Sequence, residues 1–227
     1  MTRTEGPIGE TPYVTRLALD PADVEAAARL RFEVYIAELG KHDPQADLPN
    51  RRLSDALDGQ SDILLVEDTA GSVVGTVRSH GFAPAQAWTR HDSLYALREF
   101  AHLPRSMLGL CSHLAVHKAH RRFQARDLLF RALYALQIER GIRLCFAACA
   151  PLVSRVFEHY GFREYAAPLD DPRNGAQRRL VLALDDLEYL ARIRSPFLEL
   201  AQSRGIAQSS RPWLEELIAH QAAEARR

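Results

Sequence analysis

Residues 110–165 constrain the fold of this chain more than any other segment, because several different elements follow one another there in a fixed order. Apolar residues alternate with polar or small ones up to Val116, and a period of two is typical of a strand with two differently used faces. A basic loop, an amphipathic helix, a second strand, a second helix and a Gly-Phe turn follow. A strand that leads through a cationic loop into a helix predicts an α/β domain with an anion site at the start of that helix.

The loop after this strand concentrates positive charge where the helix begins. A helix start already attracts anions through its free N–H groups and its dipole, and arginine adds forked donors that suit phosphate. We interpret the loop as a phosphate site; the alternative is a solvated basic face of the helix. The cationic or ionisable residues involved are His117, Lys118, His120, Arg121, Arg122 and Arg126.

The same order of elements, closed by the sequence GFREY at 161–165, resembles the acetyl-CoA-binding core of the GCN5-related N-acyltransferases (GNAT). In that superfamily the pyrophosphate lies on a loop of the form Arg/Gln-x-x-Gly-x-Gly/Ala; here Gln124 and Arg126 stand at the positions of the two small residues. The resemblance implies that backbone groups of the strand hold the pantetheine arm and polarise the thioester. The donor-binding residues expected from it are Leu114, Ala115, Val116, Arg121, Arg122, Gln124, Ala125 and Arg126.

The N-terminal half is similar to two branches of that superfamily, the acyl-homoserine-lactone synthases and the N-acyl amino acid synthases. The shared features are an arginine-rich first helix, an Asp-x-x-Asp pair (Asp55 and Asp58) in a long loop, and a Gly-Thr-Val-Arg sequence that ends at Arg78. The sequence after the Gly-Phe turn also looks like the tail of the N-acyl amino acid synthases. Both branches take long acyl chains, commonly from acyl carrier protein, so the resemblance implies a long-chain donor.

The implied fold class is α/β: a GNAT fold with a mixed central sheet, splayed at its fourth and fifth strands and flanked by helices. We expect a flexible leader over residues 1–12, the acyltransferase domain over 13–184 and a helical C-terminal extension over 185–227. The loop over residues 41–62 is long enough to suggest a functional lid rather than a connector.

Composition agrees with one enzyme-sized domain. The chain has 227 residues, of which 47% are hydrophobic, and its 29 basic and 29 acidic residues cancel, so no overall charge draws it to nucleic acid or to a membrane. No apolar run reaches the roughly 18 residues of a membrane span, and the first twenty residues lack the apolar block of a signal peptide. We therefore expect a cytoplasmic protein. Cys111, Cys145 and Cys149 lack metal-ligand spacing and are expected to be reduced, buried thiols.

Three residues are candidates for the proton-accepting base. The glutamate that often acts as base on the fourth strand of related enzymes corresponds to Leu110 here. His113 is the first candidate, because imidazole titrates near neutral pH; the alternative is a hydrogen-bonded strand histidine. His80 is the second. Asp55 is the third, acting through water or by binding the substrate ammonium together with Asp58, unless both are solvated loop caps.

Arg78 has two possible roles that the sequence leaves equally open. It could bind a substrate carboxylate, or it could pair with Asp55 or Asp58 as a structural clamp. The tyrosine that protonates the leaving thiolate in many relatives corresponds to Phe157, and water can replace it because a free thiol has a pKa near 8.5.

These observations predict an N-acyltransferase that moves an acyl group from acyl carrier protein or coenzyme A (acyl-phosphopantetheine or acyl-CoA) to an amine such as an amino acid, without a metal. Acidic acyl carrier protein is a possible partner for the basic loop. Acetyl transfer to a small amine and a non-catalytic thioester-binding module are the alternatives.

Overall fold

The computed structural model describes residues 11–82, 91–92, 94–121, 123–171, 174–205 and 210–224. Its helices are α1 (Pro21–Arg31), α2 (Phe123–Glu139), α3 (Pro151–Tyr160), α4 (Leu187–Arg192), α5 (Leu198–Ser203) and α6 (Arg211–Glu224). Its strands are β1 (Tyr13–Leu17), β2 (Ala46–Asp47), β3 (Arg52–Leu53), β4 (Asp62–Asp68), β5 (Val73–Gly81), β6 (Leu108–Val116), β7 (Leu144–Cys149), β8 (Arg163–Asp171) and β9 (Gly175–Ala183). The leader expected over 1–12 lies outside the described residues except for its last two.

Helix α1 begins where its sequence indicates. The side chain of Asp20 accepts a hydrogen bond from the Asp23 N–H, and Pro21 occupies the first turn, where its missing N–H costs nothing. The helix continues as a π-helix over Phe32–Glu38, which the sequence pattern did not indicate. Gly40, with a φ of 62°, follows its end.

The main sheet has the strand order β1-β4-β5-β6-β7-β9-β8, and β2 and β3 form a separate hairpin within the predicted lid loop. Neighbours in the main sheet are antiparallel except β6 and β7, which are parallel. That pairing joins residues 108–110 to residues 144–146, although β6 continues to Val116 and β7 to Cys149. These fourth and fifth strands of the sheet therefore separate along their C-terminal halves, which confirms the predicted splayed, mixed sheet.

Strand β6 carries an extra residue where it leaves β7. Thr76 pairs with Ala115 and Arg78 pairs with Ser112, so two steps along β5 match three along β6. His113 lies in this bulge with a φ of 53°, a left-handed conformation that strains a residue with a side chain. A bulge takes backbone groups out of the regular ladder and re-aims the adjacent side chains.

Two aromatic-rich clusters cover the two faces of the sheet. On one face Phe130 of α2 stacks on Tyr160 of α3, with ring centroids 4.0 Å apart. On the other face Phe146 of β7 packs among further rings. The C-terminal helices reach both clusters, because Phe197 belongs to the first and Leu214 to the second.

Two prolines occupy positions that accommodate them. Strand β8 was not indicated by the sequence; it is an edge strand that contains Pro168 beside a register shift, and proline is tolerated at such positions. Pro212 is the second residue of α6, in the first turn, where its missing N–H removes no bond of the helix. Within the described ranges, every helix is too short or too polar to cross a membrane.

Candidate active site

The separated part of β6 is held from both sides by side chains that bind its backbone. The Tyr35 hydroxyl donates to the carbonyl of Leu114 at 2.7 Å, and Nε of Arg121 donates to the carbonyl of Val116 at 3.0 Å. Ala115 between them is buried and pairs with β5. The three residues expected to contact the pantetheine arm thus lie where β6 is no longer paired with β7.

A cluster of buried charges lies beside the bulge. Arg78 of β5 donates to Asp55 at 2.5 and 3.1 Å and to Asp58 at 2.9 Å. Arg31 of α1 donates from Nη1 to both carboxylate oxygens of Asp58 at 2.8 Å. The side chains of Arg31, Asp58 and Arg78 are at most 5% exposed. Two guanidinium groups and two carboxylates cancel, so the cluster buries no net charge, and removal of any one member would leave a charge uncompensated.

The contacts of Arg78 are those expected of a structural clamp, and its alternative role, binding a substrate carboxylate, stays a prediction. Asp55 and Asp58 are ion-pair partners with largely buried side chains rather than solvated caps. Burial opposes ionisation of both, but the neighbouring His113 and the hydrogen bonds from Arg78 to Asp55, and the charges of Arg31 and Arg78 near Asp58, hold the pKa of both carboxyls below the usual range. Both are therefore ionised at neutral pH.

His113 connects this cluster to the bulge. Its Nε2 lies 3.6 Å from Oδ2 of Asp55, and its ring lies edge-on to Tyr35 with centroids 6.3 Å apart. Burial lowers the pKa of His113, and the charges of Arg78 and Arg31 lower it further, while Asp55 acts in the opposite direction. The imidazole is therefore neutral at neutral pH and able to accept a proton, and its side chain is 20% exposed.

The Tyr35 side chain lies beside this imidazole. Burial raises the pKa of Tyr35 to about 12, so its hydroxyl stays protonated and remains a donor to Leu114. Ser112, the residue before His113, accepts a hydrogen bond from Nε of Arg78 at 3.0 Å. The bulge is thus tied to the charge cluster on one side and to the first helix on the other.

His80, the second candidate base, has a more enclosed position. It is 3% exposed, and its Nδ1 lies 3.0 Å from the Ser61 hydroxyl, which itself donates to the Leu57 carbonyl. Because that hydroxyl has a single proton, Nδ1 of His80 must be the donor to Ser61. This is the arrangement of a hydrogen-bonded strand histidine, and a catalytic role for His80 stays a prediction.

The predicted phosphate loop pairs with acidic side chains of the first helix, which the sequence did not indicate. Nη1 and Nη2 of Arg121 each donate to one carboxylate oxygen of Glu38 at 2.6 Å, and this pairing lowers the pKa of Glu38. His117 similarly lies 3.2 Å from Glu33. The π-helical end of the first helix therefore places carboxylates against the loop, next to its cationic side chains.

The other expected donor-binding residues have different surroundings. Ala125 is fully buried, whereas Gln124 and Lys118 are exposed. Arg126 is partly buried and hydrogen-bonds to the Tyr160 hydroxyl of α3. Arg122 lies outside the described residues.

The surroundings of Phe157 are apolar. Phe157 is buried edge-on against Phe130 and Phe162. The Tyr160 hydroxyl donates to Asp127 at 3.2 Å, and burial raises the pKa of Tyr160 to about 12.

The predicted buried, free cysteines are confirmed, and hydrogen bonding to Cys145 together with burial raises the pKa of Cys111.

The sequence analysis did not single out four residues of the candidate site: Arg31, Tyr35, Glu38 and Lys41. Arg31 and Tyr35 fall on the apolar stripe of the first helix, and an arginine in such a stripe signals a buried ion pair because arginine is rarely buried alone. No comparable local signal marks Glu38 or Lys41. No group of three or more His, Cys, Asp or Glu side chains suited to a metal ion occurs within the described residues.

Part of the chain is similar to a known family and to a curated relative. Residues 30–131 match the family described as "Acetyltransferase (GNAT) domain". The chain is 30% identical over 146 residues to the L-ornithine N(alpha)-acyltransferase of Rhodobacter capsulatus, an alignment that covers 61% of this chain and 56% of that protein. The chain therefore spans just over half the length of this curated relative.

Solved structures share the fold. FeeM, an N-acyl amino acid synthase from uncultured soil microbes, superposes with a TM-score of 0.64 at 19% identity, covering 83% of this chain and 97% of FeeM. BjaI, a CoA-dependent acyl-homoserine lactone synthase solved with SAM and isopentyl-CoA, gives 0.58 at 22% identity over 78% of this chain and 84% of BjaI. At these identities the likeness concerns the fold alone. The chain thus shares the fold of these proteins, and the match to the GNAT domain family covers residues 30–131.

Proposed function

We propose that this chain is an N-acyltransferase that moves an acyl group from a phosphopantetheine thioester to the amine of an amino acid. The observation that carries the proposal is the position of a neutral imidazole, His113, in the β6 bulge and beside the Asp55 carboxylate, where β6 separates from β7. The reaction class is supported by the relatives, since one is named for acylation of the α-amine of ornithine and another for synthesis of N-acyl amino acids.

The proposed reaction needs one proton acceptor and an ordered thioester. The donor lies along residues 114–116, with its carbonyl at the backbone freed by the bulge. The amine nitrogen attacks the thioester carbonyl carbon, His113 accepts the proton that the amine loses, and Asp55 stabilises the imidazolium that forms. The C–S bond then breaks, and water protonates the thiolate, because Phe157 has no proton to give. Positioning of two reactants can itself contribute about 7–11 kcal/mol.

We infer a long acyl chain on the donor, carried by acyl carrier protein or coenzyme A. Support comes from the likeness of the N-terminal half to long-chain branches and from Gln124 and Arg126, which replace small residues in the phosphate loop. Each buried methylene contributes about 0.8 kcal/mol, so a fitted apolar site would favour a ten-carbon chain over acetyl by several kcal/mol.

Competition among thioesters tests the proposal. The purified protein is given acetyl and decanoyl thioesters, each on coenzyme A and on acyl carrier protein, with a mixture of amino acids, and N-acyl products are measured by mass spectrometry. We expect N-decanoyl amino acids to predominate. A clear preference for acetyl-CoA would contradict the long-chain donor while leaving the acyltransferase intact.

A non-catalytic thioester-binding module is the second candidate, and two observations favour it. The Arg121 guanidinium is already bound to Glu38, and phenylalanine occupies the position of the thiolate's proton donor. Binding of all four thioesters without release of any free thiol would identify such a module. Accumulation of an N-acyl amino acid lipid in a bacterial host that expresses the protein would exclude it.

A further inference from the structure

Lys41 stands directly after the end of the first helix, and the chain turns it back toward the bulge. Gly40, with its positive φ of 62°, reverses the backbone. The Lys41 N–H then donates to the carbonyl of Tyr35 at 2.9 Å. The Lys41 ammonium consequently lies 5.0 Å from the centroid of the Tyr35 ring. This is the ring whose edge contacts His113 and whose hydroxyl binds Leu114.

The charge of Lys41 is weakly compensated compared with that of nearby arginines. Arg31 and Arg78 are bound by Asp55 and Asp58, and Arg121 is bound by Glu38. Within the part of the chain that the structure describes, no carboxylate oxygen lies within 4.0 Å of the Lys41 ammonium. Its one hydrogen bond there goes to the neutral side-chain oxygen of Asn174, at 3.4 Å.

Two carboxylates act on Lys41 from farther away, but both have other partners. Asp43 accepts a hydrogen bond from the Gln45 N–H at 2.9 Å, and Asp171 accepts one from the Asn174 N–H at 2.8 Å. Burial lowers the pKa of Lys41, with these two aspartates opposing the change. A half-buried ammonium with incomplete compensation gains from binding an anion, because a charge-assisted hydrogen bond replaces lost hydration.

We propose that Lys41 binds the carboxylate of the acceptor amino acid and so selects amino acids over simple amines. This inference rests on the proposed function and assigns the acceptor subsite of that reaction. The α-amine and the carboxylate of an amino acid are separated by a single carbon, and His113 and Lys41 lie against the same tyrosine ring. We expect one acceptor to place its amine near the imidazole while its carboxylate meets the ammonium.

The test compares an amino acid with its amide, which keeps the amine but replaces the carboxylate by a neutral group. Acyl transfer to both is measured for the parent, for Lys41→Gln and for Lys41→Arg, at saturating donor. We expect the parent to prefer the amino acid, and Lys41→Gln to lose about 10- to 100-fold in kcat/KM for the amino acid, mainly through KM, with the amide unaffected. Lys41→Arg should retain part of the preference because it keeps the charge.

The other lysine of the chain, Lys118, provides a control of equal charge. Lys118→Gln is expected to change donor affinity but to leave the ratio of amino acid to amide as in the parent. An unchanged ratio in Lys41→Gln would overturn the assignment. If neither the parent nor any variant acylates either acceptor, the proposed function fails instead. Calorimetric titration with the amino acid and with its amide then still tests the role of Lys41. A parent that prefers the amino acid, with loss of this preference in Lys41→Gln, supports the assignment, and equal binding of both compounds by the parent refutes it.

Discussion

The two halves of the sheet, on either side of the split between β6 and β7, are built differently. The half that contains β4, β5 and β6 buries charged and polar side chains, including Arg31, Asp58, Arg78 and His80. The half that contains β7, β8 and β9 is bordered by the buried carboxylates of Asp185 and Asp186, but its packing is rich in aromatic rings, and beside it Tyr134 stacks on Phe197 with centroids 4.4 Å apart. Both halves are well buried, but the kinds of interaction that hold them differ.

The two kinds of interaction respond differently to the loss of a partner. Aromatic side chains stabilise by area and dispersion, and they tolerate one another in many arrangements. A buried ion-pair cluster contributes little net stability, yet it requires every partner to be present. In this molecule the buried ion-pair cluster lies beside the bulge that carries His113, and the aromatic packing lies on the other side of the split between β6 and β7. Substitutions in the two halves should therefore have different consequences.

The largest effect on stability is expected from Asp58→Ala. This change leaves Arg31 buried without a carboxylate, and breaking a buried pair costs about 3–5 kcal/mol in the free energy of unfolding. Glu25→Ala is the control, because its partners Arg29 and Arg52 are exposed and such pairs contribute about 0–1 kcal/mol. Urea unfolding measures both. Equal losses in the two variants would show that the cluster is not the weak point of this half.

The same variant has a pH signature. The folded-state pKa of Asp58 lies below its ordinary value of 3.8, so the ionised carboxylate stabilises the fold above that pH and this contribution is lost as the pH falls through the folded-state pKa. The difference between the parent and Asp58→Ala should therefore be largest near neutral pH and shrink below pH 3.8.

A smaller effect is expected from Tyr134→Phe in the aromatic half. The Tyr134 hydroxyl donates to the buried carbonyl of Leu184, and an unsatisfied carbonyl costs about 1–3 kcal/mol. Because this site is remote from the bulge, kcat/KM measured below the unfolding transition should remain that of the parent. A loss of kcat/KM without a loss of stability would contradict the division between the two halves.

The smallest effect is expected from Glu38→Gln, on donor binding. The variant frees Arg121 from its ionic partner, so the affinity for coenzyme A should rise, by no more than about fivefold for an exposed pair. Calorimetric titration measures it, with Glu158→Gln as the control because Glu158 pairs with Arg178 away from the loop. If affinity is unchanged or falls, Glu38 does not compete with the donor phosphate.

The sequence predicted the elements around the split well because each has a local signal. Strand β6 shows its alternation, α2 its apolar stripe and α1 its Asp-Pro start. Strand β8 was missed because its sequence has no regular alternation and contains Pro168, which only an edge position accommodates.

The candidate site was predicted less completely, for a physical reason. The sequence singled out Asp55, Asp58 and Arg78 through the family resemblance, and His113 because its imidazole suits a base. It did not reveal that Arg31 completes the cluster, that Glu38 occupies Arg121 or that Lys41 lies over Tyr35. These contacts join residues distant along the chain or depend on the π-helical end of the first helix, and no local periodicity encodes them.

The pH dependence of kcat/KM in His113→Gln tests the central claim most directly. Glutamine keeps much of the shape and some hydrogen bonding but cannot accept a proton at neutral pH. We predict a loss of about 100- to 10,000-fold, together with disappearance of the acidic limb that the parent shows below the ordinary histidine pKa of 6.5. A variant with the parent's rate and the parent's pH profile would contradict the account and leave His80 as the next candidate base.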